Sequence, residues 1–344
     1  MVLEIIHDKL SKFIFLYQNI NTMTEQQKQL GRGAFSVVLR STTGQLTKRP
    51  LETLSQKKRS RVIEKYRNQM QILKRLHQEN PTKSHLFGQI YQVNPKGQSI
   101  MKDLGDTNLM NAINRRYNRL FHDLDHVMEQ LINTVVVMLK AGVVHRDIKP
   151  ENIMVRYDED TGHFHLTFVD FTDALTKDDI DTSQQYMDFG TPNFMSPQEL
   201  FRDQQQNWEK GPWKEYMAND LWSLGIVMYI LLFRKHPIAM FRELYPHQKS
   251  SSSSSLEDVY RRLRKDPRLY ASLFPFDRLP INKRKNVEDV KALLSFDPNV
   301  RIDWWRKKIR QQQQRERRAH QAVSRLLSAS QMLEQRQKKR TKKQ

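Results

Sequence analysis

The amino-acid sequence predicts a mixed α+β protein, and three stretches carry that expectation. Val143-Val144 and Ile153-Met154-Val155 are short β-like runs bracketing a polar loop, His145-Arg146-Asp147-Ile148-Lys149-Pro150-Glu151-Asn152. Between about Leu124 and Lys140, the residues Leu124, Val127, Met128, Leu131, Val135 and Met138 recur at helical spacing. Leu221 to Phe233 is the longest apolar run, thirteen residues, short of the roughly 20 needed to span a bilayer. It reads as a buried helix. The polar loop sets an acid, a cation and an amide within eight residues, which marks it as the place to look for chemistry.

At 344 residues and 38% hydrophobic, the chain has room for a two-lobed domain plus extensions. It has no cysteine, which excludes disulfides, thiolate nucleophiles and cysteine-ligated zinc. Phe13 to Tyr17 is an apolar patch too short, and too closely flanked by Lys9 and Lys12, for a signal sequence. The expectation is an intracellular protein without a transmembrane segment, cytoplasmic, with a nuclear place left open. The net charge of +20 is uneven: from Asp303 onward there are fourteen Lys or Arg against three acids. Such a tail favours nucleic acid or another acidic partner.

In chain order, residues 1–26 form an extension with Val2, Ile5, Ile6, Leu10 and Phe13 at helical spacing, expected to pack on the domain. Leu30 opens a glycine-bearing run, Gly31-Arg32-Gly33-Ala34-Phe35-Ser36-Val37-Val38, suited to a hairpin. A helix follows from about Lys57 to His77, carried by Ile63, Tyr66, Met70, Leu73 and Leu76. Asp158 to Gly162 reads as a hairpin turn, and Ser250 to Ser255 as a flexible loop. The basic tail carries a modest apolar stripe in Ala319, Val323, Leu326, Leu327 and Leu333.

The loop at 145–152 resembles the catalytic loop of eukaryotic-type serine/threonine protein kinases: His-Arg-Asp, then Asn five places after the Asp. The sequence is similar to that family over residues 28 to about 302, as a divergent member. The resemblance implies a bilobal kinase fold, a small β-rich N-lobe with one helix (27–101) and a larger, mainly helical C-lobe (102–302). The extension 1–26 and the basic tail 303–344 would flank it. It implies ATP and Mg2+ as cofactors and a protein as substrate. Asp147 would accept the substrate proton, Lys149 would steady the transferring phosphate, and Asn152 and Asp170 would hold magnesium. Leu30, Gly31, Gly33 and Val38 would form the nucleotide-covering loop, Met101 the back wall of the adenine pocket and Asn108 a ribose contact. A surface turn explains Gly105 to Asn108 equally well.

The departures from the family pattern matter as much. The phosphate-anchoring lysine falls on Lys48 if the hairpin is shortened by two residues, and on Arg49 if by one. Without a gap it falls on Pro50, which cannot serve. Gln69 stands where a glutamate would pair with that lysine, and Glu64 projects from another face. Thr172 replaces the glycine after Asp170-Phe171, and Gln198 replaces a glutamate expected to pair with Arg301, so a slip onto Glu199 is an option. Thr176, Thr182, Ser183 and Tyr186 are the activation-loop hydroxyls open to phosphorylation, with Arg146 as the cation awaiting the phosphate. Two other readings stand beside the enzyme: a pseudokinase scaffold or allosteric partner, and a kinase for a non-protein substrate.

Overall fold

The computed structural model describes residues 28–105, 107–115, 117–182, 190–200, 213–239, 273–279 and 286–341. The expected N-terminal extension, the serine run, Ser183 and Tyr186 lie outside the described residues. The chain divides into two compact units, 1–74 with 88–106, and 75–87 with 107–344.

Among the described residues, the first unit is a five-stranded antiparallel sheet with one helix. Its strands are β1 (Lys28–Arg32), β2 (Ser36–Arg40), β3 (Leu46–Pro50), β4 (Ile90–Val93) and β5 (Ser99–Met101), in the order β1-β2-β3-β5-β4. The glycine-bearing run is the β1–β2 hairpin, with Gly31 opposite Val38 and a bulge between Gln29 and Gly31. Helix α1 (Gln56–Glu79) extends the expected helix at both ends. Of the stripe its periodicity marked it buries Tyr66, Leu73 and Leu76, while Ile63 and Met70 are half-buried and Val62 takes a buried place beside them. The Tyr66 hydroxyl donates to Ser36 Oγ at 2.6 Å and so ties helix to hairpin. Arg40 on β2 pairs with Asp103 at 2.7 Å, which holds the chain after β5 against the sheet.

That pairing, with the Lys102 amide donating to the Gln89 carbonyl at 2.9 Å, keeps residues 102 and 103 with the sheet. The first compact unit therefore runs to 106, five residues past the lobe edge expected at 101. Residues 75–87 belong to the second unit for a different reason. Leu86 and Phe87 are buried there, with Phe87 edge-on to Phe171 at 6.1 Å and bridged to Phe168.

The second unit is mainly helical. It contains α2 (Leu109–Asn114), α3 (Asn118–His122), α4 (Leu124–Lys140) and two two-stranded elements: β6 (Val143–Val144), paired with β9 (Leu175–Thr176), and the hairpin of β7 (Ile153–Asp158) and β8 (His163–Phe168). It continues through α5 (Lys177–Thr182), α6 (Pro197–Leu200), α7 (Trp213–Phe233), α8 (Val287–Leu293) and α9 (Pro298–Thr341). Helix α4 has the boundaries its periodicity predicts. The apolar run 221–233 is the body of α7, and every residue from Tyr216 to Leu232 is buried. By length and composition α7 resembles a membrane span, but its apolar surface is covered by the protein itself.

Helix α9 runs through the expected tail boundary at residue 303. It starts at Pro298 and runs on as one helix to Thr341. Ile302 and Trp304 are buried, and Asp289 of α8 takes both Trp304 Nε1 and Lys308 Nζ at 2.7 Å. The basic tail is thus the outward continuation of a helix rooted in the core. Its apolar stripe stays uncovered at Val323 and Leu326, both exposed.

At Gly225 α7 approaches α8 so closely that an added Cβ would lie 2.9 Å from Leu293 Cβ and from Leu294 Cδ2. Only a residue without a side chain fits there. Gly225→Ala should lower stability by about 1 kcal/mol or more, overpacking outweighing the gain in helix propensity. Urea unfolding measures it; a stabilised variant would show that the two helices are free to separate.

Candidate active site

The polar loop between β6 and β7 hangs from one buried carboxylate. Asp220, on the innermost stretch of α7, accepts the backbone N–H groups of His145 at 2.6 Å and Arg146 at 2.8 Å. Burial pushes the Asp220 carboxyl up from its ordinary value, while His145 and the two amides pull it back down. The ring of His145 is fully buried. Its Nδ1 accepts the Asp147 amide at 3.4 Å, which leaves Nε2–H to donate to the Val169 carbonyl at 3.0 Å. His145 is therefore a brace between the loop and the strand end before Asp170.

Held this way, Arg146 adopts a left-handed backbone at φ 69°, and Asp147 turns into a ring of donors. Thr191 Oγ1 donates to Asp147 Oδ1 at 2.7 Å. Lys149 Nζ lies 2.7 Å from Asp147 Oδ2 and 2.7 Å from Thr191 Oγ1. Asn152 Nδ2 donates to Asp147 Oδ2 at 3.0 Å and to its carbonyl at 2.9 Å. With its amide nitrogen committed, Asn152 is left with its carbonyl oxygen as a ligand atom. The structure brings Asp147, Lys149, Asn152 and Thr191 into one cluster.

Asp170 follows β8 with φ 60°, a conformation that costs a non-glycine residue about 1–3 kcal/mol. Its carboxylate accepts the hydroxyl of Thr172. Thr172, standing where the family pattern has a glycine, thus acts as a local anchor for Asp170, a role foreshadowed by the habit of Thr hydroxyls to bond acceptors two residues away. The Val169 amide donates to the Asn152 backbone carbonyl at 2.9 Å, joining Asn152 to the residue before Asp170. The oxygen donors of Asp170 and Asn152 suit a small hard cation such as magnesium.

Arg146 does not stand alone. Its guanidinium lies 5.6 Å from the Tyr216 ring centroid and donates to the Asp173 carbonyl at 3.4 Å. Burial lowers its pKa, against the raising influence of Tyr216, Asp173, Glu199 and Asp220. Thr176 caps α5: its Oγ1 and amide both donate to Asp179 Oδ2, at 2.6 and 2.8 Å. Its hydroxyl is already committed to that cap.

The nucleotide candidates of the first unit lie on one sheet. Gly31 pairs with Val38, Val38 with Lys48, and Leu46 with Met101, so Gly31, Val38, Lys48 and Met101 share a face. Arg49 pairs with Val37 on the other face. Leu30 sits in the β1 bulge, and Gly33 donates its amide to the Ser36 carbonyl at 2.8 Å, closing the tip of the hairpin. Lys48 Nζ lies 5.7 Å from the Tyr66 ring centroid, one helical turn before the buried Gln69. In the second unit, Asn108 is the N-cap of α2, its side-chain oxygen accepting the Asn111 amide at 2.8 Å.

The glutamine at 198 needs no slip. Gln198 Oε1 accepts Arg301 Nη2 at 2.9 Å, and Gln198 Nε2 donates to the Phe296 carbonyl. Glu199 does not take over the Arg301 pairing position. Arg301 is fully buried, 5.6 Å from the Trp222 ring, and desolvation pulls its pKa down to about 10 against the opposing pull of Asp297.

Against known proteins, the family model described as protein kinase domain matches residues 24–341. The chain is 29% identical over 294 residues to serine/threonine-protein kinase cds1 of Schizosaccharomyces pombe, covering 82% of this chain and 56% of that protein. It is 25% identical over 215 residues to myosin light chain kinase A of Dictyostelium discoideum, covering 62% of this chain and 67% of the relative. A calcium/calmodulin-dependent protein kinase type II of Caenorhabditis briggsae is 28% identical over 211 residues, 60% of this chain and 36% of that protein. The chain thus spans little more than half the length of the cds1 protein.

A cation buried against a neutral amide is an underpaired charge. Gln198→Glu should supply the missing carboxylate, at the loss of the bond to the Phe296 carbonyl, and raise stability by about 1 kcal/mol, measured by chemical denaturation. A destabilised Gln198→Glu would mean that desolvating the new carboxylate outweighs the pairing.

Proposed function

The chain belongs to the protein kinase family, and from that we propose that it is a serine/threonine protein kinase transferring the γ-phosphate of ATP to protein hydroxyls. The observation that carries this reading is that Asp147 accepts a threonine hydroxyl at 2.7 Å, with Lys149 and Asn152 beside it. A substrate hydroxyl donating to the same carboxylate oxygen would hand its proton to Asp147 as its oxygen attacks phosphorus. Lys149, also in contact with Thr191, would set its ammonium against the negative charge of the transferring group.

Asp170, steadied by Thr172, and the Asn152 carbonyl oxygen are the residues that would hold magnesium, which when bound neutralises phosphate oxygens. Leu30, Gly31, Gly33, Val38, Lys48 and Met101 are the nucleotide contacts on this reading. Lys48 is preferred to Arg49 because it shares a face with Gly31, Val38 and Met101. Asn108 retains a side-chain amide that can donate to ribose while its oxygen caps α2. For the basic outer part of α9 we propose an acidic partner, nucleic acid or protein, supported by its run of arginines and lysines.

A second reading, a scaffold with little catalysis, is favoured by the neutral Gln69 buried where the lysine's glutamate partner is expected. The two readings part in one assay: transfer of labelled γ-phosphate, with magnesium, onto the protein itself and a basic peptide. Wild type should be active, Asp147→Asn should lose about 10²–10⁴-fold, and Lys48→Ala should be strongly impaired. Folded wild-type protein no more active than Asp147→Asn would establish the scaffold instead.

A further inference from the structure

Away from the polar loop, the second unit joins three side chains whose chemistry the proposed reaction does not use. Asp123 occupies the N-cap position of α4 but makes no capping bond with its side chain. Its carboxylate is turned instead toward the β7–β8 hairpin, where Oδ2 accepts the Phe164 amide at 2.8 Å and Oδ1 lies 2.8 Å from His163 Nδ1. About one helical turn along, His126 stacks on the His163 ring, centroids 4.3 Å apart and planes 28° from parallel. The ligand atoms of Asp123, His126 and His163 all lie within 4.8 Å of one another.

We propose that Asp123, His126 and His163 form a binding site for a zinc-class divalent transition-metal ion. Two imidazole nitrogens and one carboxylate are a donor set for zinc, nickel or copper, whereas magnesium and calcium select all-oxygen sets. Zinc bonds of about 2.0–2.1 Å place neighbouring tetrahedral ligand atoms roughly 3.3 Å apart. The contact of Asp123 Oδ1 with His163 Nδ1 is already near that spacing, with a proton where the ion would sit. A zinc ion would replace that proton and draw in His126 after a modest splay of the stacked rings. His163 has room to move, its side chain 49% exposed, while Asp123 is only 12% exposed and fixed by the Phe164 amide.

The three ligands come from the cap of α4, its first turn and the start of β8. The ion would therefore pin the start of the helix that leads into the polar loop to the hairpin that leaves it. Three protein ligands leave a fourth position for water on the exposed side.

The test is isothermal titration of zinc chloride into the chelator-stripped 344-residue chain, with excess magnesium present to occupy sites made only of oxygen donors. One zinc per chain, raising the melting temperature, is expected for wild type. His163→Ala and His126→Asn should each weaken binding at least about tenfold and remove the thermal shift. Phosphoryl transfer by His163→Ala should stay at the wild-type level, which separates this site from the proposed reaction. No saturable zinc binding in wild type would overturn the proposal, as would wild-type affinity in either variant.

Discussion

One carboxylate, buried at the middle of an apolar helix, holds the reactive loop in place. Asp220 is almost wholly excluded from solvent, and desolvating it is offset by two short bonds from the amides of His145 and Arg146. Those bonds over-determine a backbone that would otherwise relax, which is why Arg146 persists at a positive φ. The conformation of Arg146 turns Asp147 toward Lys149, Asn152 and Thr191. His145 carries the constraint to Val169, next to Asp170. The polar cluster is thus specified from beneath, by the packing of α7, more than by contacts within the loop.

Neutral groups recur where this family's pattern places charged or flexible ones. Lys48 lies by an aromatic ring one turn before Gln69, Arg301 meets Gln198, and Thr172 stands in a glycine's place. The consequences differ by site. At Arg301 the cation is left underpaired in the core and its pKa falls to about 10, so the cost is borne by stability. At Thr172 the substitution adds a bond, anchoring the carboxylate it follows.

The parts legible in the sequence are those fixed by short-range spacing. The loop 145–152 is contiguous, so its residue types and their order expose it directly. Helix α4 shows its boundaries because one face is buried along its whole length. Lys48 against Arg49 was not legible, since hairpin length sets the register and a one-residue change turns a side chain to the other face. The pairing of Gln198 with Arg301 joins positions far apart in the chain, and the neighbouring Glu199 offered an equally sensible partner. The capping roles of Asn108 and Thr176 compete with binding roles for the same side-chain atoms, which residue type alone does not decide. The gathering of Asp123, His126 and His163 depends on a hairpin folding back onto a helix cap, for which the sequence carries no local sign. Within α9, the change to a polar composition looked like a domain edge, yet helical hydrogen bonding continues across it.

The claim that the loop depends on Asp220 is tested most directly by amide hydrogen exchange across residues 143–158 in wild type and Asp220→Asn. The variant keeps the shape of the side chain but sets an NH2 group against a backbone donor. Exchange at His145 and Arg146 is expected to quicken by at least about tenfold, the loss of roughly 1.4 kcal/mol or more of local protection, while Val155 to Asp158 of the hairpin keeps its wild-type rate. Unchanged protection at His145 and Arg146 would contradict the account, because the loop would then be held by something other than the buried carboxylate.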